Sequence, residues 1–255
     1  MAETKDDPTI ENEELNDEGI EEVEANDNAP AIDPSLEGIQ LFYEKNKKVI
    51  NYASGGLVVL VTAFVYYFFS YMPEMEKEAA NEAYIAQKYF DVDSFDIAVK
   101  GGRMVFTADG QKPMKGFDEI SEEYSSTKIG NLANYYAGIC YLRTGKFEQA
   151  VEKLEKYNIN DIIIAPMAYG ALGDAYMELN KLDEAVKYYL KAVEKSTNNF
   201  TTPWFLKKAG FAYELKANYA EALNMYERIE QEYGNSELGK EIKRDIAKVK
   251  ALGNL

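Results

Sequence analysis

The chain has no histidine and one cysteine, Cys140. No disulfide can form within it, and neither a Ser-His-Asp nor a Cys-His catalytic pair can be assembled. A histidine metal site is excluded with them. Cys140 falls in a helical pattern between Ile139 and Tyr141 and reads as a small buried hydrophobe. A glycine-rich phosphate loop is also missing, because Gly55-Gly56 and Gly101-Gly102 lack its spacing. Carboxylates are plentiful, but they recur at the spacing of a helix's solvent face and read as hydrated surface. No catalytic residue, metal ligand set or cofactor site is expected, and the chain is not expected to be an enzyme. With no basic patch on an aromatic platform, nucleic acid is not an expected partner.

Positive charge is scarce at one end. Residues 1–40 hold fourteen acids against Lys5, leaving only −3 of the formal −16 for the other 215 residues. This segment has no aromatic residue and few large apolar ones. It cannot bury enough surface to offset chain entropy, and a disordered tail is expected over 1–40.

From Val49 to Pro73 there are 25 residues without a charge. As helix this run spans about 37 Å, enough for a ~30 Å hydrocarbon core. Lys45, Lys47 and Lys48 precede it, and Glu74, Glu76, Lys77 and Glu78 follow. Basic flanks stay in the cytoplasm, so the tail is expected inside and the larger C-terminal part outside. Tyr43, Tyr52, Tyr66, Tyr67 and Tyr71 suit the two interfaces. The run is too long for a cleaved signal peptide and ends in Tyr-Tyr-Phe-Phe rather than small residues, so it reads as an uncleaved anchor over 41–75. Ala53, Ser54, Gly55 and Gly56 are small enough to let another membrane helix pack closely, although glycine is also tolerated in such helices without that role.

Beyond the anchor the chain repeats itself. Gly138, Gly173 and Gly210 form one column; Tyr141, Tyr176 and Tyr213 a second; Ala150, Ala185 and Ala222 a third; Leu154, Tyr189 and Tyr226 a looser fourth. All four share one phase. The frame resembles the tetratricopeptide repeat, in which two antiparallel helices pack through a small residue on each. Glycine and alanine allow the close approach, and the tyrosines with Leu154 are expected to fill the wedge between successive hairpins. Gly145, Asn180 and Ala217-Asn218 mark the turns. The expected architecture is all-α: one transmembrane helix, then a tetratricopeptide-repeat α-solenoid. Its parts would be a degenerate first repeat with an inserted loop over 76–130, three repeats over 131–235 and a capping helix over 236–255. Within the first of these, a short helix over 94–99 and then an irregular loop are expected.

In such arrays the first helices line a groove that binds protein. Candidate groove residues are Tyr135, Ile139 and Leu142; Met167, Asp174 and Met177; and Trp204, Lys207, Phe211 and Glu214, with Leu132 and Gly170 beside them. Trp204 and Tyr135 are the strongest anchors. The competing assignment for each is packing against the neighbouring hairpin.

The whole layout, with the Phe42-Tyr-Glu-Lys-Asn-Lys-Lys48 run before the anchor, resembles the YfgM-type family of single-pass bacterial inner-membrane proteins. Asp93-Ser-Phe-Asp-Ile-Ala-Val-Lys-Gly101 and Tyr124-Ser-Ser-Thr-Lys-Ile-Gly-Asn-Leu-Ala133 look like Bacteroidota members of it. That resemblance implies a periplasmic scaffold beside the Sec translocon. Its partners would be translocon subunits and a periplasmic chaperone, with translocating polypeptides as further clients and the bilayer as its support. The alternative is an assembly subunit of another envelope machine, for secretion or outer-membrane biogenesis.

Overall fold

The computed structural model describes residues 34–107, 110–158, 164–195 and 198–255. The chain divides into two units, Met1–Leu60 and Val61–Leu255. Over its described residues the first unit is helix. Helix α1 (Pro34–Tyr66) starts earlier than the composition implies, so 34–40, expected as disordered tail, are helical. Proline is pre-organised for a first helical position, and Glu37 in the first turn favours the positive end of the helix dipole. The expectation of disorder over 1–33 lies outside the described residues. Leu57, Val58, Val59 and Leu60 are all exposed, and no part of the apolar stretch is covered by protein.

In the second unit the backbone passes through a π-helical turn at Tyr67–Tyr71 into α2 (Met72–Asp91). Pro73 accounts for the widened turn. It cannot donate to the carbonyl four residues back and crowds it, and the Met72 amide donates instead to Tyr67. There follow α3 (Phe95–Lys100), β1 (Met104–Thr107), β2 (Gly110–Pro113) and α4 (Phe117–Glu123). The strands form an antiparallel hairpin with Val105 opposite Lys112, where an irregular loop was expected. Lys112 ion-pairs with Glu82 of α2, whose side chain is almost fully buried, and this pins the hairpin to the helix.

Three helical hairpins come next: α5 (Lys128–Arg143) with α6 (Phe147–Lys156), α7 (Ile164–Glu178) with α8 (Leu182–Lys195), and α9 (Thr201–Leu215) with α10 (Tyr219–Tyr233). Each turn has one residue in the left-handed region: Gly145, Asn180 and Ala217. In each the next amide donates back to the column tyrosine: Lys146 to Tyr141 at 2.9 Å, Lys181 to Tyr176 at 2.8 Å and Asn218 to Tyr213 at 2.9 Å. This bond closes the helix end as a Schellman turn.

The glycine column packs within its own hairpin. A Cβ on Gly138 would lie 2.8 Å from Leu154 Cδ2, one on Gly173 2.9 Å from Tyr189 Cζ and one on Gly210 2.8 Å from Tyr226 Cζ, each with a still closer neighbour. The fourth column therefore sits on the glycine of the same hairpin, and Leu154 also packs with Ala168, Ala171 and Leu172 of the next one. The reason is reach: with no side chain on the glycine, the facing helix can lay a large side chain flat across it.

The start of α5 is held from far upstream. Glu76 of α2 accepts from the Lys128 and Ile129 amides at 2.8 and 3.0 Å, and Thr127 Oγ1 accepts from Gly130. A carboxylate and an N-cap hydroxyl thus satisfy the first three amides of the helix. At the far end α11 (Glu237–Glu241) and α12 (Lys243–Gly253) close the array. Ile242, Ile246 and Val249 are buried against α10, while Lys243, Arg244 and Lys248 face out.

Candidate partner-binding groove

Side chains chiefly of α5, α7 and α9 line two adjoining clefts, and Tyr135, Ile139, Leu142 and Met177 among them also pack against the hairpin cores. The larger, about 780 Å³, has Leu142, Arg143, Met177, Trp204, Lys207 and Phe211 among its walls. The smaller, about 310 Å³, takes in Tyr135, Ile139, Met167 and Gly170 and reaches Phe90 and Phe95. Leu142, Arg143, Asp174, Trp204 and Lys208 border both. The structure thus brings together nine of the ten candidate groove residues. Gly170 sits where Phe205 Cζ would be 2.6 Å from an added Cβ, so α9 approaches α7 closely at the groove floor.

Trp204 is 47% exposed and Phe211 49%, so both rings offer open apolar surface at the cleft. The tryptophan is not loose: Lys208 Nζ lies 5.6 Å from its ring as a cation–π partner. The same ammonium donates to both oxygens of Asp174 at 2.7 Å. Asp174 also accepts from the Tyr189 hydroxyl at 2.7 Å. Burial first, then this carboxylate, holds the Tyr189 hydroxyl well above the ordinary phenol range. The groove therefore combines aromatic and aliphatic walls with the Lys208–Asp174–Tyr189 cluster at its centre and Arg143, Glu178 and Lys207 around it. It suits contact with another chain's side chains better than chemistry.

Glu214, the tenth candidate, lines neither cleft. It accepts from the Tyr226 hydroxyl at 2.7 Å and from Lys248 of α12 at 2.6 Å, with 8% of its side chain exposed. Tyr226 is shifted upward, by burial and then by this bond. Leu132 lines neither cleft. Lys207 pairs with Asp245 at 3.3 Å, while its neighbour Lys208 holds the groove's centre. Lys208 carries a signal in hindsight, lying 34 residues after Asp174, about one repeat. Phe90, Phe95 and Arg143 were not among the candidates, and the two phenylalanines come from outside the repeats. Ala53, Ser54, Gly55 and Gly56 lie exposed on α1, and a Cβ on either glycine would meet no atom within 4 Å.

Among the described residues no group of three or more His, Cys, Asp or Glu side chains is placed to hold a metal ion. Burial pushes the Cys140 thiol up to about 12.

Comparison with known proteins assigns the hairpins. The tetratricopeptide-repeat family matches residues 132–158, 166–199 and 208–236. These hairpins are tetratricopeptide repeats. Over 118 residues the chain is 28% identical to "Tetratricopeptide repeat protein 29" of Macaca fascicularis, covering 43% of this chain. The aligned part spans a quarter of that relative's length. Among solved structures, the nearly identical TPR-like repeats of a Podosopora anserina protein assigned as a kinesin light chain superpose with a TM-score of 0.52 at 13% identity. The match covers 70% of this chain and 88% of that one, and a point variant of the same protein gives the same values. At that identity the likeness is one of fold. A tetratricopeptide array is a scaffold for protein–protein interaction, and this chain adds a helix long and apolar enough to cross a membrane.

Proposed function

We propose that this protein is a membrane-anchored scaffold whose repeat groove binds protein partners on the non-cytoplasmic side of a bacterial inner membrane, at the Sec translocon. The observation that carries the scaffold reading is the exposed Trp204–Phe211 surface of α9 in a cleft of about 780 Å³. Exposed aromatics in a pre-formed depression are where binding energy concentrates. The orientation is supported by Lys45, Lys47 and Lys48 ahead of the apolar run. The translocon location is supported by the YfgM-type layout and the motifs quoted for it. Substrate handling or chaperone docking are the roles that location would serve. The small residues from Ala53 to Gly56 are the proposed contact with a membrane partner.

Photocrosslinking in native membranes tests this, with a photoreactive residue at Phe211 and another at Gly56. Adducts with translocon subunits, a periplasmic chaperone or mixed secretory chains are expected. A single stoichiometric partner from another envelope complex would replace the translocon reading with the assembly-subunit one. No protein adduct at Phe211 would remove the groove.

A further inference from the structure

A third cleft, of about 610 Å³, opens where the start of α9 meets α11. Its lining is largely apolar: Met167, Phe200, Pro203, Trp204 and Leu238. Phe200 is 83% exposed, yet it is held in place. Asn198 Oδ1 accepts from the Phe200 and Thr201 amides at 2.8 and 2.7 Å, so a side-chain-closed turn displays the ring. The rim is acidic. Glu237 and Glu241 stand one helical turn apart on α11, both exposed and both lining the cleft. Neither makes an ion pair or a side-chain hydrogen bond among the described residues, and no basic side chain lines this cleft. Some carboxylates of the array are matched, as Asp174 is by Lys208 and Glu214 by Lys248, while others such as Glu178 and Glu184 have no ion pair among the described residues; what sets Glu237 and Glu241 apart is their place beside this apolar lining. Met167 and Trp204 also border the groove, so this cleft continues it.

We propose that this cleft docks a basic–apolar segment of a partner protein: an aromatic or long aliphatic side chain on the Phe200–Trp204–Leu238 lining, with a lysine or arginine close by in sequence facing Glu237 and Glu241. This rests on the scaffold reading and names the chemistry of what one end of the scaffold selects. The apolar lining supplies affinity and the unmatched carboxylates supply choice of partner. An acidic segment is turned away by the same two charges.

The chain has one tryptophan, Trp204, which borders this cleft and the adjoining groove, so its emission reports occupancy of either and the charge-reversed and Phe211→Ser variants assign which. The test uses the full chain in uncharged detergent and three capped nine-residue peptides in a Ser/Gly background. One carries Phe, Leu and two Lys; the second has Glu for Lys; the third has Ser for Phe and Leu. The Lys peptide is expected to shift Trp204 emission saturably, with the other two at least about tenfold weaker. Glu237→Lys with Glu241→Lys, both on exposed positions, is expected to invert the preference between the Lys and Glu peptides. A response blind to charge, or no response from any peptide, overturns the proposal. So does a response lost in Phe211→Ser, which lines only the neighbouring groove, but kept in the charge-reversed protein. A blue shift with zwitterionic vesicles and none with peptides would make the face a lipid contact and also overturn it. Crosslinks from Phe211 that survive any of these results leave the groove reading standing, so the two fail separately.

Discussion

Substituting Gly210 with alanine tests whether the glycine column is a packing device. On helix propensity alone, Gly210→Ala should stabilise α9 by about 1 kcal/mol. The structure predicts the opposite sign. The new Cβ would stand 2.8 Å from Tyr226 Cζ, where carbon atoms prefer about 3.5–4.0 Å. The ring is 2% exposed and its hydroxyl donates to Glu214, so it can retreat only by disturbing packed neighbours and that bond. Overpacking typically costs about 1–3 kcal/mol and a weakened hydrogen bond about 1. After the propensity gain the net loss is about 2 kcal/mol, read as a fall of about 4–8 °C in the thermal midpoint of the full chain in detergent. A double-mutant cycle isolates the cause. In a Tyr226→Ala background, itself expected to lose about 3–5 kcal/mol, Gly210→Ala should turn neutral or stabilising. Equal destabilisation in both backgrounds would refute the packing argument, as would a stabilised single mutant.

The other predictions concern the turns, the α5 cap and the thiol. Ala217 sits at φ 56° where its two counterparts are glycine and asparagine. Ala217→Gly should stabilise by about 1 kcal/mol, seen as a rise in unfolding midpoint, and a fall would mean the strain is absent. Glu76→Ala removes the acceptor for two α5 amides and should cost about 1–2 kcal/mol. Hydrogen exchange should show Lys128 and Ile129 losing protection while the middle of α9 keeps it. With its pKa near 12, Cys140 holds only about one part in ten thousand as thiolate at pH 8. Because that pKa is raised, its reactivity should climb with pH without levelling off below about 11. Iodoacetamide should leave the native protein unlabelled at about pH 8 and label it fully in denaturant; prompt native labelling would contradict the burial.

The repeats were legible because glycine, alanine and tyrosine keep phase over three hairpins, and only a close-packed helix pair demands a small residue on both faces. What periodicity cannot show is which neighbour a side chain touches. Leu154, Tyr189 and Tyr226 repeat with the right spacing, but a column looks the same whether it packs inside its hairpin or between two. Glu214 fits the groove frame by spacing, and only coordinates reveal that Tyr226 and Lys248 consume its carboxylate. The hairpin over 104–113 was hidden because its strands are four residues each, too short for a convincing alternation, and it depends on Lys112 meeting Glu82. The cleft at Phe200 joins residues 199–204 to 236–241, and no local pattern connects them.

The Glu76 contact also bears on the order in which the molecule is made. Synthesis delivers Glu76 about fifty residues before the α5 amides that it receives. The acceptor is thus already in place when α5 emerges, and each later hairpin meets a finished surface to build upon. A chain released before α12 would leave the outer face of the α9–α10 hairpin uncovered, because Ile242, Ile246 and Val249 are what bury it.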